Sequence, residues 1–75
     1  MFLERNKIKN AIKVFELNTN ENPKSANSFD SLAEAYFIDN QLLLSKSNYK
    51  KSLALDAQNN NAKKMIKTIE DRMND

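Results

Sequence analysis

The side chains of this 75-residue sequence that could do chemistry are carboxylates, amines, hydroxyls and amides. Histidine and cysteine are absent, which excludes imidazole bases, thiol nucleophiles, disulfides and Cys/His zinc sites. Glycine is also absent, which excludes glycine-rich phosphate loops and nucleophile elbows. The acidic residues lack the spacing of an EF-hand loop, and Tyr36 and Tyr49 have no partnered base. We therefore expect no enzyme, no cofactor and no metal site, and we expect both tyrosines in the core.

The carboxylates in the middle of the chain could instead bind a partner. Asp30, Glu34 and Asp39 lie within residues 26–45, a segment that contains no Lys or Arg. The following segment, residues 46–67, contains six Lys and one Asp. An acidic face opposite a basic one would attract a cationic partner. The alternative interpretation is a set of solvated polar faces around an ordinary core.

The basic residues do not indicate nucleic-acid binding. The formal net charge is only +2, which is too small for a typical nucleic-acid-binding domain. Lys63, Lys64 and Lys67 could bind phosphate, but they also suit a solvated helix in which Lys67 is spaced to pair with Asp71. We expect the solvated helix, and therefore no nucleic-acid partner.

Length and composition place the chain among small folded domains. Hydrophobic residues make up 40% of the sequence and charged residues 29%, and the length allows a single domain. No run approaches 18 apolar residues, so we expect no membrane span, and residues 1–5 do not begin a secretory signal. The absence of cysteine is compatible with a reducing compartment such as the cytoplasm, but it leaves the localisation open.

Apolar and small residues recur in steps of three and four along four stretches, which predicts four helices with one packed face each. Pro23 is expected to end the first helix, and Ser25 is a good N-cap for the second. Asn40 can adopt the left-handed turn after the second helix, and Asn59 or Asn60 can cap the fourth. The four sets are Ile8, Ala11, Ile12 and Phe15; Phe29, Leu32, Ala35 and Tyr36; Leu42, Ser45, Tyr49, Ser52 and Leu53; and Ala62, Met65, Ile66 and Ile69.

The sequence also contains an internal repeat. A shift of 34 residues aligns aromatic with aromatic, small with small and turn with turn residues. A helix–turn–helix unit of this period is typical of stacked helical repeats, which bury their core against neighbouring units. Aligned pairs include Phe2 with Tyr36, Ile8 with Leu42, Ala11 with Ser45, Phe15 with Tyr49 and Pro23 with Ala57.

These residues resemble the tetratricopeptide repeat. Residues 26–59 match one whole unit, although Asn40 and Ala57 replace the usual turn Gly and Pro. The resemblance implies an all-α fold of antiparallel helical hairpins, with about one and a half repeats plus a C-terminal capping helix. Residues 1–22 would hold the second helix of a partial repeat, and residues 60–75 the cap. The matching positions are Phe29, Leu32, Ala33 and Tyr36 in the first helix of the unit and Ser45, Tyr49 and Ser52 in the second.

Part of the chain also resembles repeats that end some bacterial multi-domain proteins, including β-lactamase-like serine hydrolases. The resemblance lies in residues 22–36, and residues 48–53 and 61–65 fit it. It implies that the chain is the end of a longer protein, which could be exported, although no hydrolase motif occurs here. Phe2 and Leu3 are expected to form the last turn of a preceding helix, which would leave the first helix with an unpartnered apolar face.

The first helix of each unit lines a concave groove in the tetratricopeptide family. The resemblance therefore implies that Asn27, Asp30, Glu34, Phe37 and Ile38 face a partner. Asp30 and Glu34 would supply charge complementarity. Phe37 and Ile38 would supply apolar anchorage, and Asn27 would make a contact at the rim. The alternative for Phe37 and Ile38 is packing against a neighbouring unit or the third helix. The acidic residues have the wrong sign for the family members that clamp a terminal carboxylate, so we expect no such binding.

Leu42, Leu43 and Leu44 are not all expected to be buried in one hairpin. They could form a contact patch for another domain or a second copy, with Leu42 and Leu43 in self-association, or they could pack at the start of the third helix. Together these observations predict a non-catalytic protein–protein interaction module that binds a protein or peptide, such as a basic segment. The alternative is a structural accessory tail that packs on its own upstream domain or dimerises it.

Overall fold

The chain folds into four α-helices joined by short connections, which confirms the all-α prediction. The computed structural model describes the backbone of residues 2–74 and the side chains of residues 5–74. Its helices are α1 (Phe2–Glu21), α2 (Ala26–Ile38), α3 (Leu42–Leu55) and α4 (Asn60–Met73). No β-strand occurs in the part of the chain that it describes.

The helix ends follow from local side-chain chemistry. Ser25 Oγ accepts a hydrogen bond from the Ser28 N–H, 3.2 Å away, and Asn59 Oδ1 accepts one from the Ala62 N–H at 3.1 Å. These contacts confirm Ser25 and Asn59 as N-caps of α2 and α4. α1 ends at Glu21, two residues before Pro23, as expected.

Asn40 ends α2 in the left-handed conformation, with φ 61°. Its N–H donates to the carbonyl of Phe37, and the next N–H, of Gln41, donates to the carbonyl of Tyr36. This pair of hydrogen bonds is the Schellman motif, which usually uses glycine at the left-handed position. Asparagine is the residue expected there in a chain without glycine, because it tolerates positive φ best among the others.

The four helices pack in chain order around two apolar clusters. α2 packs against α1 on one side and against α3 on the other, and α3 also packs against α4. The first cluster joins α1 to α2, and the second joins α2, α3 and α4. The buried members of the first cluster are Ile12, Leu32, Ala35 and Tyr36, and those of the second cluster are Ala33, Tyr49, Ala62 and Ile69.

Buried serines allow α3 to approach α2 closely. Ser45 Oγ donates to the carbonyl of Ala33 at 2.7 Å, and Ser52 Oγ donates to the carbonyl of Ala26 at 2.9 Å. As the residue number rises along α3, the contacted residue number falls along α2, so the two helices are antiparallel. Both hydroxyls are fully buried and satisfied, which avoids the cost of an unpaired polar group.

Two expectations about the helices are wrong. Phe2 and Leu3 belong to α1 itself rather than to the end of a preceding helix. The residues that follow them, 4–7, contain no glycine or proline, so nothing interrupts the helix. Lys67 and Asp71 form no ion pair in the described structure; instead Lys46 Nζ of α3 lies 3.0 Å from Glu70 Oε2 of α4.

Candidate functional site

Asp30, Glu34 and Ile38 line a groove between α1 and α2. They are spaced four residues apart on α2, which aligns them along one side of that helix. The groove has a volume of about 160 Å³. We call it the α1/α2 groove; it is lined further by Ile8, Ala11, Phe15, Ser31 and Ala35.

The α1/α2 groove combines an apolar lining with two carboxylates. Ile8, Ala11 and Phe15 are half-buried on α1, whereas the side chain of Ile38 is 58% exposed. Asp30 is half-buried and Glu34 is exposed. Neither carboxylate forms an ion pair with any residue that the structure describes. The groove can therefore accommodate an apolar side chain while its carboxylates attract a cation.

The negative charge of these carboxylates also acts on the neighbouring core. The pKa of Tyr49 is raised to about 12, mainly by burial and further by the charges of Asp30 and Glu34. Asn59 Nδ2, at the N-cap of α4, lies 3.4 Å from Asp30 Oδ1 and donates a weak hydrogen bond to it. Asp30 is thus positioned by α4 as well as by its own helix.

Asp39, the third acidic residue of this segment, does not belong to the groove. Its Oδ2 accepts a hydrogen bond from Gln41 Nε2 at 2.7 Å and from Lys9 Nζ at 3.2 Å. These two contacts, that of Gln41 first, lower the pKa of Asp39. Its charge is compensated by Lys9, so of the three acidic residues in residues 26–45 only Asp30 and Glu34 remain open to a partner.

Phe37 lies apart from the other residues expected at the site. It is half-buried against the second apolar cluster, and Arg72 Cζ of α4 lies 4.7 Å from the centre of its ring. The structure therefore does not bring Phe37 and Ile38 together on one surface, and packing, the alternative left open for this pair, is what Phe37 shows. Successive helical residues point about 100° apart, and α4 covers the side on which Phe37 lies.

Asn27 and the three leucines lie outside the α1/α2 groove. Asn27 is exposed in the first turn of α2 and does not line the groove. Leu43 and Leu44 are exposed, by 70% and 45%, whereas Leu42 packs against the second apolar cluster. The exposed pair on α3 is therefore Leu43 and Leu44, rather than Leu42 and Leu43.

The contribution of α1 to the groove was missed by the sequence interpretation. Ile8, Ala11 and Phe15 were expected only as core residues, because their spacing indicates one buried face. In the structure they are half-buried, and one edge of that face lines the groove. Glu16 of α1 accepts a hydrogen bond from the Tyr36 hydroxyl, and this contact joins α1 to α2. The pKa of Tyr36 is raised to about 12, first by burial and then by the Glu16 carboxylate.

Comparison with known proteins adds no further assignment. No protein-family model matches the sequence, and no curated protein or solved structure matches it. No helix among the described residues is sufficiently long and apolar to cross a membrane. Within the same residues, no three acidic side chains come together as a metal site would require.

Proposed function

We propose that this chain is a non-catalytic protein-interaction module that binds a basic, partly apolar segment of a partner along α2. The observation that carries the proposal is the α1/α2 groove, in which an apolar lining is bordered by two carboxylates that form no ion pair with any described residue. A partner residue with an apolar stem and a positive head, or a leucine flanked by lysines, would match both features.

The proposal includes an arrangement of the helices like that of tetratricopeptide repeats. It is supported by the antiparallel contact of α2 with α3, by the short connections and by the small residues Ala33, Ser45 and Ser52 at their contact. A preformed helical surface of this kind binds with little loss of conformational entropy, because its residues are already ordered before the partner arrives.

The groove can be tested with a synthetic pair of peptides. One is a helical peptide with leucines flanked by lysines, and the other has the same leucines flanked by glutamates. Titration of the labelled chain is followed by NMR, and we expect shifts at Ile8, Phe15 and Ile38 with the basic peptide only. The double change D30K/E34K should weaken binding by about tenfold or more, since each exposed ion pair contributes about 0.2–1 kcal/mol and reversal makes it repulsive.

The matched control is D56K/D71K, which changes the net charge equally but lies away from the groove. Asp56 and Asp71 are both exposed, in the α3–α4 connection and on α4. If the control weakens binding as much as D30K/E34K, the attraction is only to net charge and the groove is not the site. Equal binding of the acidic and the basic peptide would also refute the proposal.

A second candidate function is that of a structural tail that packs on another domain of a longer protein. The exposure of Leu43 and Leu44 at the start of α3 favours it, because two adjacent exposed leucines form an apolar patch. L43K/L44K should then release the contact and should leave peptide binding at the α1/α2 groove unchanged. Pull-down of the remainder of the longer protein by the native chain, but not by the variant, tests this candidate.

A further inference from the structure

α1 carries a second apolar surface that faces away from the core. Val14 and Leu17 are 56% and 57% exposed, although they lie in the middle of a 20-residue helix. With Asn10 before them and Glu21 after them, they follow steps of four, three and four residues along one side of α1. We call these four residues the outer face of α1. Such spacing is typical of a helix that packs against another helix.

No described part of the chain covers this outer face. Among the described residues, those of α2 alone pack extensively against α1, and they contact its opposite side through Ile12 and Phe15. Apolar side chains on both sides of one helix are unusual for a helix at the edge of a monomer. They indicate a contact that the isolated chain does not make.

The charges of α1 are separated along the helix. On and beside the outer face, the first half of α1 carries Lys7 and Lys13, and the second half carries Glu21. One half of the outer face is therefore bordered by positive charge and the other half by negative charge. Two parallel copies would place like charges together, but two antiparallel copies would place each positive half against a negative half. Lys9 and Glu16 do not take part, because they lie on the side of α1 that faces α2, where they contact Asp39 and Tyr36.

We propose that two copies of the chain form a symmetric dimer in which their α1 helices pack antiparallel through the outer face. A two-fold axis near the middle of the apolar stretch would place Val14 of each copy beside Leu17 of the other. Such an interface is self-complementary, because the same residues are used by both copies. The dimer does not involve Asp30, Glu34 or the exposed leucines of α3.

The area of the outer face sets the expected strength. The outer face spans residues 10–21, about 18 Å of a helix about 10 Å wide, so it offers about 180 Å². Stable dimers bury about 800 Å² on each partner. The dimer should therefore be weak, with a dissociation constant between about 10 µM and about 1 mM.

Sedimentation equilibrium over that concentration range measures the association directly. We expect the average mass of the native chain to rise toward twice the monomer value, and V14K/L17K to remain monomeric. The matched control L43K/L44K makes the same chemical change on the exposed leucines of α3 and should leave association unchanged. A native chain that stays monomeric to about 1 mM overturns the proposal. Association lost in L43K/L44K and kept in V14K/L17K overturns it as well.

Charge exchange tests the antiparallel arrangement. K7E/K13E makes the first half of α1 less positive, and N18K/E21K makes the second half positive. Each variant alone should associate at least about tenfold more weakly than the native chain, whereas an equal mixture should regain association because opposite charges face each other again. Circular dichroism of each variant checks that it folds. Failure of the mixture to associate more strongly than either variant would refute the charge argument.

Cysteine cross-linking then distinguishes antiparallel from parallel packing, because the native chain contains no cysteine. A mixture of V14C and L17C should give a cross-linked heterodimer faster than either variant gives a homodimer. Faster formation of homodimers would support parallel packing and overturn the proposal. D30K/E34K should dimerise normally, so failure of this inference and failure of the proposed peptide site remain distinguishable.

Discussion

Removal of the side chain of Ile69 tests how α4 is held. Ile69 is fully buried, with 0% exposure, in the cluster that joins α4 to α3 and to Ala33 of α2. Ile→Ala substitutions in cores cost about 2–5 kcal/mol. α4 is a terminal helix, so it can shift toward α3 and partly close the cavity. We therefore expect Ile69→Ala to lower the free energy of unfolding by about 2–3 kcal/mol, in the lower part of the range.

The expected loss for Ile69→Ala is a large part of the total free energy of unfolding. A chain of 75 residues is expected to have a free energy of unfolding of about 4–11 kcal/mol. Urea unfolding followed by circular dichroism should show a midpoint about 2–3 M lower for Ile69→Ala, since the slope for a small protein is about 1 kcal/mol per molar urea. Ile69→Val removes one methyl group and should cost about 0.5–1.5 kcal/mol.

Leu43→Ala is the control, because Leu43 is 70% exposed and its truncation should cost less than about 0.5 kcal/mol. If Ile69→Ala shifts the midpoint no more than Leu43→Ala, α4 does not pack on α3 as described. A drop of about a quarter of the helical signal without urea would show α4 detaching alone, because it holds 14 of the helical residues.

Three further predictions concern local contacts. Asn40→Ala should lower the free energy of unfolding by about 1 kcal/mol, because alanine is disfavoured at positive φ, whereas Asn40→Gly should not lower it; thermal unfolding of both variants measures the difference. Ser45→Ala should lower the free energy of unfolding by about 1 kcal/mol, because a hydrogen bond is lost, and the bulkier Ser45→Val should lower it by about 1–3 kcal/mol, because it overpacks the contact. If urea unfolding shows a milder effect of valine than of alanine, the close α2–α3 contact is contradicted. The pKa values of Tyr36 and Tyr49 are raised, so between pH 10 and pH 12 the folded chain retains protons that the unfolded chain loses, and the free energy of unfolding should fall as the pH rises through that range. This fall should be shallower in Tyr49→Phe. An unchanged slope in that variant would argue against the burial of Tyr49 beside carboxylates.

The helices were predictable because their signals are local. Pro23, Ser25 and Asn59 act on backbone groups within a few residues of themselves, so their roles follow from the sequence alone. Asn40 is similar, since the conformation that it adopts depends on its own side chain and on the absence of glycine. The steps of three and four residues predicted the buried faces for the same reason.

The site was less predictable because it depends on which helix covers which side. Phe37 and Ile38 are neighbours in the sequence, and only the position of α4 decides that Phe37 is covered. The compensation of Asp39 by Lys9 joins residues 30 positions apart, and no local pattern indicates it. Val14 and Leu17 lie on the side of α1 that was expected to be polar. These two apolar residues are the feature of the sequence that indicates the outer face.

Among the described residues, only those of α2 contribute buried side chains to both apolar clusters, and this determines how the chain can open. α1 can separate from α2 without disturbing the second cluster, and α4 can separate from α3 without disturbing the first. Opening α2 disrupts both clusters at once. In a chain of nearest-neighbour contacts, the ends fray and the centre exchanges its amide hydrogens most slowly. The amides of α2 and α3 should thus exchange only through global unfolding, and a ligand bound along α2 would slow exchange in helices that it does not touch.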